Sequence, residues 1–145
     1  MIEETHVSFE VAKLLKEKGF DGKSNRVYQG PKLKYTTLDI SPLMCLGELG
    51  GFDPKDLYIT NSELGDLVYT APTQQMAMKW LREVHNICIT IYPDKVKGYE
   101  AVLYNIKDDV EIILQSFGIY GYHIFEDSYE QACEVALKYT LENLI

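Results

Sequence analysis

Apolar residues change their spacing at Asn86. Before it, Met76, Ala77, Trp80, Leu81 and Val84 recur every three or four positions, which is one face of an amphipathic helix. After it, Ile87, Ile89 and Ile91 alternate with Cys88, Thr90 and Tyr92, the period of a strand rich in β-branched residues. Thr73 is the expected N-cap, with Pro72 as a competing first helical residue, and Asn86 is an acceptable terminator. The pattern predicts a helix over 73–86 that runs into a strand over 87–92. It places Trp80 in the core.

A polar loop over 93–98 leads to a return strand over 99–106, with Tyr99, Ala101 and Leu103 set against Val102, Tyr104 and Ile106. Lys107-Asp108-Asp109 is a turn signal. The next segment fits two patterns. Val110, Ile113, Leu114 and Phe117 suit a helix capped by Asp108 and Glu111, whereas Glu111-Ile112-Ile113-Leu114-Gln115 suits a third meander strand. The strand, over 110–115, is preferred: a three-residue loop joins antiparallel neighbours readily, and two strands alone make a poor sheet. Residues 118–127 hold two glycines, three aromatics and His123 and read as irregular. A last helix over 128–143 starts at Ser128, with Gln131 completing a capping box. Its stripe is Tyr129, Ala132, Cys133, Ala136 and Thr140, widened by Leu137, Leu141 and Leu144. The small residues in it permit close approach to a sheet.

The N-terminal part carries a shorter helix over 8–18. Ser8 is its N-cap, Val7 and Ala12 form a hydrophobic staple, and Phe9, Ala12 and Leu15 share a face with Val11 beside them. Gly19 is the expected C′ residue, with Phe20 folding back on Leu15. Residues 21–35, around Gly30-Pro31, read as a loop or short hairpin. Residues 36–70 are punctuated by Ser41-Pro42, Gly47, Gly50-Gly51 and Asp53-Pro54. A short strand at Leu57–Thr60 and a helical turn near Leu43–Leu49 are expected there. A loop-rich stretch of this kind serves as a binding surface or as a flap over the core.

The layout is a helix, a loop-rich region, then α-β-β-β-α. This predicts an α+β fold: a small antiparallel three-stranded meander packed with helices, in a single domain over 1–145. The chain has 145 residues, 46% of them hydrophobic, enough to bury a core without a disulfide or metal staple.

Charge and cysteine usage narrow the function classes. The net charge is −8, but residues 11–34 hold seven Lys/Arg against two acids, so the rest carries −13. Such a body repels phosphate backbones, and no nucleic-acid partner is expected. The basic stretch reads as a solvated helix face plus its loop, with a local patch as the alternative. No run approaches the roughly 20 apolar residues of a membrane span, and the acidic N-terminus is not a signal peptide; the expected compartment is the cytoplasm. Cys45, Cys88 and Cys133 are odd in number and unclustered, so reduced, buried thiols are expected rather than a disulfide framework.

Three segments, Val7–Asp21, Ala71–Ile91 and Ser128–Ile145, resemble small uncharacterised proteins of Bacteroides-type genomes, often found in phage or prophage neighbourhoods. From residue 73 the order of elements is similar to the phage ABA sandwich domain, a helix–sheet–helix module. The resemblance implies a phage or prophage context and a fold. It carries no catalytic residues.

Candidate chemistry is sparse. His85 and Cys88 lie three apart, and Cys45, Cys133, His6 and His123 are the other ligand types available, but zinc favours paired short-spaced ligands and only one pair exists. No thiol stands beside a histidine in a spacing that specifies a Cys–His nucleophile. Asp108, Asp109, Glu111, Glu126, Asp127, Glu130 and Glu134 are the acids available as paired carboxylates for acid–base or Mg²⁺ chemistry, but Asp108 and Asp109 are better explained by a turn, and Glu126, Asp127 and Glu130 by a helix start, where the dipole favours negative charge. Gly47-Glu48-Leu49-Gly50-Gly51 lacks the Gly-Lys-Ser/Thr ending of a phosphate loop. The sequence therefore assigns no catalytic, cofactor-binding or metal residues and no cofactor. Its expected role is a non-catalytic protein-binding or adaptor domain for a host or phage protein, acting as monomer or homodimer. The alternative is a small enzyme with a site formed by residues 36–70 and 118–127. Eleven tyrosines favour the first role, because Tyr anchors interfaces with large area and little entropy loss.

Overall fold

Ser8 starts the first helix as its sequence position suggests. Its hydroxyl accepts from the Val11 amide at 3.2 Å, and helix α1 runs over Phe9–Glu17. The helix ends as expected too. Gly19 takes φ +85°, its amide donates to the Lys16 carbonyl at 3.1 Å, and the Phe20 amide donates to the Leu15 carbonyl at 2.8 Å. These are the paired bonds of a Schellman motif, and Phe20 and Leu15 are both buried beneath it.

The computed structural model describes residues 2–36, 57–112 and 124–145. Its three helices and antiparallel sheets make an α+β fold. The chain gathers into two compact units, one of His6–Thr73 and one of Met1–Thr5 with Gln74–Ile145. Among the described residues no helix is long and apolar enough to cross a membrane.

In the His6–Thr73 unit, the Gly30-Pro31 signal resolves as a hairpin of β1 (Arg26–Gln29) and β2 (Lys32–Tyr35), with Gly30 at φ +62°. A strand not anticipated from sequence, β3 (Val68–Thr70), pairs with the other edge of β1. Leu57–Thr60 contributes an isolated bridge between Ser24 and Ile59 rather than a strand. The turn expected near Leu43–Leu49 lies outside the described residues. Val27, Ile59 and Leu64, with Val68 against them, form a small core. Buried Asn61 ties it together: its amide donates to the Phe20 carbonyl at 2.9 Å, and its oxygen accepts from the Thr70 amide at 2.9 Å.

The second unit is the helix–sheet–helix block. Helix α2 (Gln74–Val84) ends before Asn86, which takes φ +59° and turns the chain into β4 (Ile87–Asp94). β4 runs two residues past the expected end. Pro93 is tolerated because β4 has a paired neighbour on one side only among the described residues. The Asp94 carboxylate accepts from the Val96 and Lys97 amides at 2.8 and 2.7 Å, and Gly98 at φ +91° closes the turn into β5 (Gly98–Asn105).

The far edge of β5 is shared. β6 (Val110–Ile112) pairs with Leu103–Asn105, and β7 (Ile124–Glu126) pairs with Tyr99–Ala101. The strand reading after the Lys107–Asp109 turn therefore holds for 110–112, while residues 113–115 lie outside the described residues. β7 corrects the expectation of irregular chain across 118–127 at its described end. It is a three-residue strand, too short to show a period, and it is recruited by an open edge of β5.

Helix α3 (Tyr129–Asn143) packs Ala132, Cys133, Ala136, Leu137, Thr140 and Leu141 inward, while Tyr129 and Leu144 stay half-buried. The Ser128 hydroxyl accepts from the Gln131 amide at 3.1 Å and lies 3.2 Å from the Gln131 side-chain oxygen. Ser128→Ala is expected to cost roughly 1 kcal/mol, the usual worth of an N-cap. Urea denaturation would show it as a lower midpoint with an unchanged slope.

The α2 stripe needs correction. Gln74, Ala77, Met78 and Leu81 are buried, whereas Met76 and Val84 are 39% and 57% exposed and Trp80 is half-buried. The helix is rotated toward Met78 relative to the sequence reading. Gln74 makes this rotation favourable: its side-chain amide donates to the Glu130 carbonyl at 3.0 Å and to the Glu134 carboxylate at 3.1 Å.

Candidate interaction surface

Strand alternation gives the β4–β7 sheet two unlike faces. Ile87, Ile89, Ala101, Leu103 and Ile124 are buried on the side that α2 and α3 cover. On the opposite face, register places Thr90 beside Val102, Tyr92 beside Glu100, Cys88 beside Tyr104, and Phe125 beside Glu100. Tyr92 is 51% exposed, and Val102, Tyr104 and Phe125 are half-buried. The Lys97 ammonium lies 4.5 Å from the Phe125 ring centre. This face is aromatic with an acidic margin.

The margin is built by turns. The Tyr104 hydroxyl donates to the Asp109 carboxylate, which pushes the phenol pKa up. Asp108 accepts from the Asn105 side chain at 2.9 Å, and Asp109 sits at φ +55°. The Asp94 carboxyl is held below its ordinary range by the Val96 and Lys97 amides, so it stays charged. Within Met1–Thr5 and Gln74–Ile145 there are thirteen acidic residues against six basic ones, whereas His6–Thr73 holds nine against eight. The acidity of the chain is thus concentrated in the unit that carries the aromatic sheet face.

A second feature of this unit is an open hollow of about 190 Å³ between the N-terminal ends of α2 and α3, lined by residues such as Glu3, Glu4, Gln75, Tyr129 and Glu130. The Gln75 side chain donates to the Tyr129 hydroxyl at 3.1 Å, and Tyr129 meets Tyr99 edge-on with centres 6.2 Å apart. In the other unit, a hollow of about 290 Å³ is bordered by Lys16, Asp21, Asn61 and Ser62.

The residues weighed for chemistry are dispersed. His85 packs edge-on against Trp80 at 4.6 Å between ring centres, and burial lowers its pKa. Its buried Nε2 meets no hydrogen-bond partner among the described residues. Cys88 is half-buried with its sulfur 3.9 Å from the Thr90 hydroxyl. Cys133 is fully buried in α3, and burial pushes its thiol up to about 11. His6 Nδ1 lies 2.7 Å from the Ala71 carbonyl in the other unit. Cys45, His123 and the Gly47–Gly51 run lie outside the described residues, as do residues 37–56 and 118–123 of the expected enzyme site. Among the described residues, no three His, Cys, Asp or Glu side chains converge to hold a metal ion.

The chain matches no protein-family model, no curated protein and no solved structure.

The basic stretch is spread over α1, the loop after it and both strands of the hairpin. Lys16 donates to the Gly65 and Val68 carbonyls at 2.7 and 2.9 Å and lies 5.4 Å from the Tyr69 ring centre. Arg26 stacks on Tyr35 at 4.3 Å, Lys13 lies 5.6 Å from the Phe9 ring centre, and Lys34 donates to Gln29 at 2.8 Å. At least four of its seven cations thus have local partners.

Proposed function

We propose that this protein is a non-catalytic protein-binding or adaptor domain. Its binding surface is the outer face of the β4–β7 sheet, and its partner is a protein with a basic surface. The observation that carries this reading is the coincidence of two features in one unit. One is an aromatic sheet face with Tyr92 half in solvent; the other is an excess of thirteen acids over six bases. Aromatic residues supply contact area at low entropy cost, and the field steers basic protein surfaces while repelling nucleic acid. The resemblance of the three segments to phage and prophage proteins supports a host or phage protein as partner.

Affinity capture from a host lysate at low and high salt tests this. A protein partner should be retained at low salt, released at high salt, and lost when Tyr92→Ser is combined with Glu100→Lys. Tight nucleic-acid binding at physiological salt without a protein partner would sink the proposal.

A further inference from the structure

We propose that the outer edge of β4 takes up an extended segment of the protein partner as an added strand, uncharged where it pairs and flanked by Lys or Arg. The inference deepens the reading of the outer sheet face as a binding surface, and it rests on that reading for the sign of the partner's charge. β4 stands at the end of its sheet, and among the described residues no strand lies beside its second edge.

The register fixes which groups this edge presents. Ile87 pairs with Asn105, and one residue earlier the Ile106 amide donates to the Asn86 carbonyl at 2.8 Å. Hydrogen bonding alternates along an antiparallel strand, so Asn86, Cys88, Thr90 and Tyr92 bond toward β5. Ile87, Ile89 and Ile91 turn their N–H and C=O groups the other way. Pro93 falls in the same outward set, where its missing N–H costs the β5 ladder nothing. The edge therefore offers three N–H groups and stops at a residue that has none. The side chains of Ile87 and Ile89 are buried against the helices, so main chain is what they present, and the strand opens to solvent at Tyr92 and Pro93.

A row of main-chain donors and acceptors at strand spacing is matched by another strand. Native edges are commonly blocked by charge, above all by Lys. β4 has no charged residue from Asn86 to Pro93. A charge set opposite this stretch would lose water without gaining a counter-ion, so the paired residues of the partner are uncharged. Beyond the pairing, the thirteen acids against six bases of this unit favour cations on the flanks. An added strand would also bring every second side chain onto the outer face beside Cys88, Thr90 and Tyr92, which enlarges the aromatic surface.

A synthetic peptide, Lys-Lys-Val-Thr-Val-Thr-Val-Lys-Lys, added to the isotope-labelled full chain tests the proposal by amide exchange. In the free chain the Ile91 amide should exchange faster than those of Thr90 and Tyr92. With peptide, the Ile89 and Ile91 amides should slow about tenfold or more, while Thr90 and Tyr92 change little. Ile91→Pro removes one outward donor in the manner of Pro93 and should weaken peptide binding, with circular dichroism to establish that the variant is folded. A peptide N-methylated at alternate residues should fail to bind, which keeps the test open if that variant unfolds. Edge amides already protected in the free chain would overturn the proposal, as would no binding, or equal binding by the N-methylated peptide or by one flanked with Glu. Peptide that perturbs Tyr92 and Tyr104 without protecting the edge amides would overturn strand addition and leave the outer face standing as a binding surface. Edge protection by the peptide, with no protein captured from lysate, would count against the outer-face reading alone.

Discussion

Truncating Leu81 to alanine is expected to destabilise the protein by roughly 2–5 kcal/mol, the range for removing a buried leucine side chain. Truncating the larger Trp80 is expected to cost less than that, although sequence alone places Trp80 in the core. Burial decides the order. Leu81 is 0% exposed, so its removal leaves a cavity that its neighbours cannot fill without moving. Trp80 is half-buried, and part of its indole already faces water. Its loss forfeits the edge contact with His85 and opens a surface notch that water enters, not a void. Urea denaturation of both variants measures the difference. A larger loss at Trp80 than at Leu81 would mean that α2 is turned the other way.

Among the described residues of the Gln74–Ile145 unit, Gly98→Ala should be the most damaging single-methyl change. Two costs add. Gly98 has φ +91°, a region that L side chains rarely adopt. An added Cβ would also stand 2.4 Å from the Glu126 carbonyl oxygen, a backbone atom that cannot swing aside. Strained backbone of this kind costs of order 1–3 kcal/mol, and overpacking adds about as much again, so a loss of roughly 2–4 kcal/mol is expected. Gly30→Ala is the control. Gly30 also has positive φ, +62°, but nothing lies within 4 Å of its added Cβ. It should carry the backbone cost alone, roughly 1–2 kcal/mol. Thermal unfolding of the two variants separates the terms. Equal losses would show that β7 can shift away from Gly98. Amide exchange should also place the extra damage at Ile124–Glu126, where β7 meets β5.

The difference between those two glycines shows what a single chain can reveal about itself. Caps and turns are local, and their chemistry is written in adjacent residues. Ser8 and Ser128 cap their helices, Gly19 and Phe20 close a Schellman motif, and Lys107–Asp109 makes a turn, all as their residue types require. The alternation of Ile87, Ile89 and Ile91 likewise names its buried face, because a strand has only two faces and one of them must be covered. The α3 stripe was legible for the same reason: its small residues are suited to one side of one sheet.

The orientation of α2 was not legible. Its apolar residues span more than half of the helix circumference, so periodicity bounds the arc without saying which part is covered. The hydrogen bonds of buried Gln74 to Glu130 and Glu134 of α3 settle that, and those partners lie far away in sequence. The candidate surface was legible only as acidity and a count of tyrosines. Which of those tyrosines share a sheet face with Glu100 depends on the pairing register of β4, β5 and β7. The short strands β3 and β7 depend on the same cause. Three residues carry no period, and each becomes a strand because a longer neighbour presents an unpaired edge. Local hydrogen bonding and steric preference thus determine where elements begin and end. Which face is buried, and which three residues complete a sheet, is decided by partners that only the folded chain brings within reach.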